Sequence, residues 1–203
     1  GKSFGRSAGR KCQDFLMLLD ALRDFEWLNE PLDVNFEEAG MRVLTHNKTD
    51  FWQSVHHRFG KDNGHFFYAR REGDFTFGVT WRFENSGQFD QCGIMLRIDE
   101  KNWFKASVMS DNEAQPRLAS CVTNCGYSDL APIEIPAGIT EVSYKIKRFK
   151  GDYILYYSLD GINFKQLRML HLLNDQPEVK VGAYICSPQR EAFEGVLTQI
   201  EFI

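Results

Sequence analysis

The sequence predicts an all-β fold, a jelly-roll sandwich of two antiparallel sheets with a short N-terminal helix. Three observations carry this. From Trp27 onward apolar and polar residues alternate at period two, the alternating runs are short, and clusters of Gly, Asp and Asn separate them. The 203 residues, 43 % hydrophobic and 26 % charged, match the composition of one ordinary soluble domain with a sizeable core.

The elements follow in chain order. "GKSFGRSAGRK" is basic and free of acids, and "DFLMLLDALRDF" after it spaces apolar residues as a helix does. Asp14 and Asp20 interrupt the apolar core that a secretory signal requires. Residues 1–24 therefore read as a leader and a short docking helix, with a transit peptide or basic arm as alternatives and Met17 as a candidate start. Residues 25–203 read as the sandwich. In "FTFGVTWRF", Phe75, Phe77, Val79, Trp81 and Phe83 share one face while Thr76, Gly78, Thr80 and Arg82 take the other, as in a half-buried antiparallel strand. Similar runs recur as "MRVLTH", "FWQSVHHRF", "HFFYARR", "CGIMLRI", "WFKASVM", "LASCVTN", "EVSYKIKRF", "YILYYSL", "KQLRML", "EVKVGAYI" and "VLTQIEFI". Turn signals divide them at "KDNG", "REGD", "ENSG", "FKGD" and "LDG". The absence of a constant repeat or low-complexity linker argues against a propeller and against a second domain.

Charge and cysteine content narrow the partners. A net charge of -4 offers no broad basic face to replace phosphate counterions, so nucleic acid is not expected as a partner. No apolar run approaches membrane-spanning length, so a membrane is not expected either. Five cysteines, two of them (Cys92 and Cys186) within strand-like runs, fit a reduced, cytoplasmic protein. In "CVTNC", Cys121 and Cys125 in an extended chain lie roughly 13 Å apart, too far to share a zinc ion or form a disulfide unless the chain bends sharply at Asn124. Neither metal nor cofactor is expected.

The stretch "QFDQCGIMLRIDEKNWFKASV", residues 88 to 108, reads as two strands around a turn at Glu100 and Lys101. A regular ladder would pair Ile98 with Trp103, Leu96 with Lys105 and Ile94 with Ser107 on one side, with Asp90 on that side too. Gln91, Gly93, Met95 and Arg97 would share the opposite side with Phe104, Ala106 and Val108. Neither side is cleanly polar, and register alone does not say which one faces the hollow of a curved sheet.

Several segments together resemble a known family, the concanavalin-A-like proteins labelled "regulation of enolase". They are "FEWLNEP" at 25 to 31, "TDFW" at 49 to 52, "DNGHFFY" at 62 to 68 and "DQCGIMLRIDEKNWFKASV" at 90 to 108. "VTNCGYSDL" at 122 to 130, "YYSLDGINF" at 156 to 164 and "CSPQREAFE" at 186 to 194 complete the set. The resemblance implies a lectin- or glucanase-like sandwich and carries no proven activity. Two departures stand out: the family usually has Trp where Leu130 stands and often Trp where Phe164 stands. The family match singles out His65, Asp90, Gln91, Lys105, Asn124, Ser128 and Asp129 as candidate ligand-binding residues. Trp103 or Tyr127 would supply an aromatic platform, since saccharides present hydroxyls beside apolar ring faces. On the alternative reading, Asn124 and Asp129 close turns and Lys105 pairs with Asp90 across the sheet.

Catalysis finds less support. Glycoside hydrolysis requires two carboxyl groups roughly 5 Å apart for retention or roughly 6.5 to 9.5 Å for inversion. No Glu-x-Asp-x-Glu run is present, and Asp99–Glu100 and Glu37–Glu38 are adjacent pairs whose side chains splay. His56 and His57 would point to opposite faces of a strand. "SLDGINF" resembles an Asp-box hairpin, but Asp160-Gly161 also favours a two-residue primed turn. Glycine-rich phosphate loops and nucleophile elbows are missing from the sequence. The reading is a sandwich whose concave sheet binds a carbohydrate or related polyhydroxylated ligand. The alternative is an intracellular regulatory domain with a metabolic-enzyme partner, and a glycoside hydrolase comes third.

Overall fold

A computed structural model describes residues 4–54, 59–84, 87–110, 115–189 and 192–203. Helix α1 (Phe4–Ala21) begins inside the basic stretch and passes through a short 3-10 turn (Leu22–Asp24) into the strands. These are β1 (Glu26–Leu28), β2 (Asp33–Glu37), β3 (Gly40–Leu44), β4 (Phe51–Ser54), β5 (Phe59–Asp62), β6 (His65–Glu72), β7 (Phe75–Phe83) and β8 (Gln91–Asp99). The second half adds β9 (Asn102–Ser110), β10 (Pro116–Asn124), β11 (Tyr127–Glu134), β12 (Glu141–Phe149), β13 (Asp152–Ser158), β14 (Lys165–Leu170), β15 (Glu178–Cys186) and β16 (Glu194–Phe202).

Two seven-stranded antiparallel sheets stack face to face. The front sheet runs β1-β6-β15-β8-β9-β10-β11 and the back sheet β14-β13-β12-β7-β16-β3-β2. The alternation of β7 does what its spacing predicts: Phe77, Val79, Trp81 and Phe83 are buried between the sheets and Arg82 is exposed. Ile94 and Leu96 of β8, Phe104 of β9, Tyr144 and Ile146 of β12 and Val181 of β15 meet them there. The Trp81 indole N–H donates to the Gly93 carbonyl at 2.9 Å, so the largest inward side chain also satisfies its one polar atom across the core.

The front sheet buries its other face as well. Strands β4 and β5 form a separate hairpin over it. Beneath the hairpin lies a second apolar cluster of Phe51, Phe66, Tyr68, Met95, Trp103, Cys121, Tyr184 and Cys186. Phe51 has no solvent exposure and sets its ring edge-on against Trp103 and Tyr184, with centroids 6.4 and 6.3 Å away. The run "FWQSVHHRF", expected as one strand, is divided between the two arms of this hairpin; His56 and His57 lie outside the described residues. Strands β1, β2 and β11 were not expected. β11 carries Pro132 and is exposed along most of its length, so the alternation that marks the other strands is weak there.

The expected β8–β9 register holds at the turn and fails beyond it. Asp99 pairs with Asn102, as a two-residue loop at Glu100 and Lys101 demands, but a bulge at Ile98 then shifts the ladder so that Arg97 pairs with Trp103, Met95 with Lys105 and Gly93 with Ser107. One extra residue on one strand exchanges which of its side chains sit beside those of its neighbour. Lys105 and Ser107 therefore share the outer face with Gln91, Met95 and Arg97, while Ile94 and Leu96 turn into the core. The loop at Asp160 is also longer than a two-residue turn, spanning residues 159–164 between β13 and β14.

Candidate functional site

A cavity of about 290 Å³ opens on the outer face of the front sheet, beside the hairpin. The register explains its shape. Gly93, Ser107 and Ala119 stand side by side across β8, β9 and β10, a row of small residues that leaves a trough between taller neighbours. Gln91 and Met109 rise on one side of the trough and Lys105, Cys121 and Leu130 on the other, with Tyr184 at its β15 end. Asp50 and Trp52 from the hairpin, and Phe89, Pro188 and Gln189 from loops, complete the walls.

Lys105 is the chemical centre of this cavity. Its side chain is almost wholly buried, and its ammonium donates to Asp50 Oδ1 at 3.2 Å and to Gln91 Oε1 at 3.1 Å. The Tyr184 hydroxyl donates to the same Gln91 oxygen at 2.9 Å, and Gln91 Nε2 donates to the Phe89 carbonyl. The ammonium also lies 5.5 Å from the Trp103 ring centre and 5.3 Å from that of Tyr184. Burial pulls Lys105 toward neutrality, but the neighbouring negative charge outweighs it and raises the group above the ordinary lysine value. Burial pushes the Cys186 and Cys121 thiols up, so they stay neutral beside the ammonium.

Of the nine candidate residues, Gln91 and Lys105 line the cavity. Trp103 is buried beneath Phe51 with its indole N–H on the Glu100 carbonyl, so it is core and not an exposed platform. Tyr127 is 63 % exposed and lies outside the cavity walls. His65 is buried, accepting the His46 backbone N–H at Nε2 and facing the Asn29 carbonyl with Nδ1 at 2.7 Å. Asp90 does not pair with Lys105: its carboxylate accepts the Gly87 N–H and the Ser187 hydroxyl, each at 2.6 Å. The ion pair goes to Asp50, which the bulge and the hairpin bring over Lys105. Asn124 closes β10, donating to the His171 carbonyl and accepting the Leu173 N–H. Asp129 is mid-strand, not in a turn, with its exposed carboxylate 3.2 Å from Arg168. The Ser128 hydroxyl accepts the Gln53 N–H and so ties the hairpin to β11.

Sequence reasoning missed Asp50, Trp52, Ser107 and Tyr184. "TDFW" was the available signal for the first two, being an acid and an indole next to a residue that the fold buries. Cys121 is buried and Cys125 exposed past the strand end, and all five cysteines are free thiols. Among the described residues no cluster of three His, Cys, Asp or Glu is placed to hold a metal ion. The Asp160 carboxylate is consumed locally, accepting N–H groups from Asn163 and Ile162 and the Ser158 hydroxyl, and the Asn163 contacts first among these hold it well below the usual carboxylate range.

The family described as a protein of unknown function, DUF1349, matches residues 27–203. The chain belongs to the DUF1349 family. A relative in this sequence neighbourhood, "Regulation of enolase protein 1" of Saccharomyces cerevisiae, is 33 % identical over 166 residues, covering 81 % of each chain. A crystal structure of a functionally unknown protein from Saccharomyces cerevisiae superposes with a TM-score of 0.82 at 26 % identity, over 90 % of this chain and 97 % of that one. The GH43 protein BlXynB from Bacillus licheniformis gives a TM-score of 0.70 at 16 % identity, over 89 % of this DUF1349 chain and 36 % of its own. That last likeness establishes the sandwich fold alone. The expected concanavalin-A-like fold and family are therefore both present. No helix among the described residues is long and apolar enough to cross a membrane.

Proposed function

We propose that this chain is a binding protein whose cavity beside Lys105 takes a neutral polyhydroxylated ligand, of which a saccharide is the best-fitting class. The observation that carries the reading is the Lys105–Asp50 pair at the cavity wall. An ammonium has three donors, and two are used within the protein. Asp50 Oδ1 is occupied, while no hydrogen bond from the described residues reaches Oδ2. A donor and an acceptor of opposite charge side by side suit a hydroxyl, which donates and accepts. A carboxylate or phosphate would gain from Lys105 and lose to Asp50. The mostly apolar walls, including the half-buried Trp52 ring, suit the flat face of a sugar ring. Asp50 is the one carboxylate among the described lining residues, which supports binding over two-carboxylate hydrolysis. Five free thiols support a reducing compartment such as the cytoplasm.

A glycan array and a hydrolysis assay on the same panel test the reading, with wild type beside Lys105→Met. Binding without turnover, lost in the variant, supports it. Turnover of a bound glycan would establish a hydrolase instead, and a blank array together with no hydrolysis would overturn the saccharide class. A second reading has a metabolic enzyme as partner. The name of the yeast relative and the exposed side chains of Tyr127 and Ile133, on the face of the edge strand β11 away from the cavity, favour it. Calorimetry with purified enolase, repeated with Tyr127→Ala, tests that surface directly.

A further inference from the structure

The shape of the cavity bears on which part of a ligand it holds. A flat or curved sheet face of this breadth would let a polymer lie across every strand. Here the face is divided. The small-residue trough of Gly93, Ser107 and Ala119 crosses three strands, and the next position in the same row, on β15, is Tyr184. Tyr184 is fully buried and its hydroxyl is fixed to Gln91, so that end of the trough is a wall. Along the strand direction the way is blocked by Phe51, which fills the space above Trp103 and Tyr184.

The blocking hairpin is pinned at several points. Arg97 makes a bidentate pair with Asp62, at 2.5 and 2.9 Å, with the guanidinium buried. The Gln53 N–H binds Ser128, Asn29 donates to the carbonyls of Asp62 and Gly64, and Asp50 meets Lys105. Gly64 lies so close to Phe51 that an added Cβ would come within 2.4 Å of the ring. A segment held this way is a fixed plug and not a lid. The remaining space, about 290 Å³, is at the lower end of the roughly 300–1,000 Å³ usual for small-molecule pockets.

We infer that the cavity recognises a chain end, one terminal neutral ring seated against Lys105 and Asp50, and excludes the interior of a polymer. This rests on the saccharide reading above and adds the direction of entry: Tyr184 and Phe51 close two sides, and the β11 end of the trough, where Pro132 stands next to Ala119 on the exposed edge strand, is where any further units leave.

Isothermal titration of the wild-type protein with xylo-, cello- and arabino-oligosaccharides of one to six units tests it. For whichever series binds, affinity levels off by the second unit, with one protein per oligosaccharide. Capacity on the matching polysaccharide rises when an endo-acting hydrolase cuts it, because ends and not mass are counted. Affinity that climbs by about tenfold or more between two and six units, or several proteins on one hexamer, overturns chain-end recognition and leaves the saccharide reading standing. If no series binds, or binding is unchanged by Lys105→Met, the saccharide reading at this cavity falls and the inference falls with it.

Discussion

Asp50 and Lys105 are 55 residues apart in the chain and 3.2 Å apart in space, one at the start of the hairpin that lies over the front sheet and the other on that sheet's outer face. The pair joins fold and chemistry in one contact. It helps fasten the hairpin, and both residues line the same cavity.

Removing one partner strands the other in a poorly solvated place. Lys105→Met is expected to cost about 3 kcal/mol of stability, at the low end of the range for broken buried pairs because Asp50 keeps some exposure. Replacing both, as Lys105→Met with Asp50→Asn, restores most of that stability, since no uncompensated charge remains. Ligand binding stays lost in the double variant. Urea melts and titration of the two proteins separate these outcomes; a double variant as unstable as the single would contradict the argument.

The Arg97–Asp62 pair makes a second prediction. Asp62→Ala leaves the buried Arg97 guanidinium without its bidentate partner and is expected to destabilise by about 2–3 kcal/mol. The loss is local before it is global, so backbone amides of β4 and β5 exchange faster with deuterium while those of β7 and β12 keep their protection. Uniform loss of protection across both sheets would show that the hairpin is not the unit released.

Thiol reactivity follows from burial. Cys12 and Cys125 are exposed, whereas Cys92, Cys121 and Cys186 are buried with their thiols pushed up chiefly by desolvation. A disulfide-exchange reagent at neutral pH should modify two thiols quickly and the other three only on unfolding. Fast modification of Cys121, which lines the cavity, would mean the trough admits more solvent than its walls suggest.

A pH effect is expected from His65. Burial, which outweighs the Asn29 carbonyl facing Nδ1, depresses the imidazole below the ordinary histidine value, and nearby His46 adds to this. The unfolded chain accepts a proton at about pH 6.5 that the folded protein still refuses. The stabilisation from neutral His65 is therefore whole above that pH and is lost as pH falls through the folded value. His65→Gln, which keeps a donor and an acceptor, should give a flatter decline in urea midpoint between pH 7 and pH 5. Equal slopes in the two proteins would remove His65 as the cause.

Much of the fold was legible because burial repeats at short range. Phe77, Val79 and Trp81 face inward for the reason that their spacing gives, and the turn at Glu100 and Lys101 lies where its residues put it. β11 escaped notice because an edge strand with a proline, exposed on both sides, need not alternate. Within the candidate site, Gln91 and Lys105 were legible from their family match. Asp50 and Tyr184 were not, since their roles come from strands that meet only in the folded sheet.

The one-residue bulge at Ile98 marks the boundary most clearly. The sequence by itself determined that this chain alternates, that it forms two antiparallel sheets, and that Lys105 lies on a strand beside Trp103 and Ser107. Only the tertiary structure decided what Lys105 faces, because a single unpaired residue reassigns every side chain along a strand pair and costs too little local pattern to be read. The same is true of Phe51 and Trp103, whose apolar character was plain but whose burial under a hairpin depended on contacts between segments far apart in the chain.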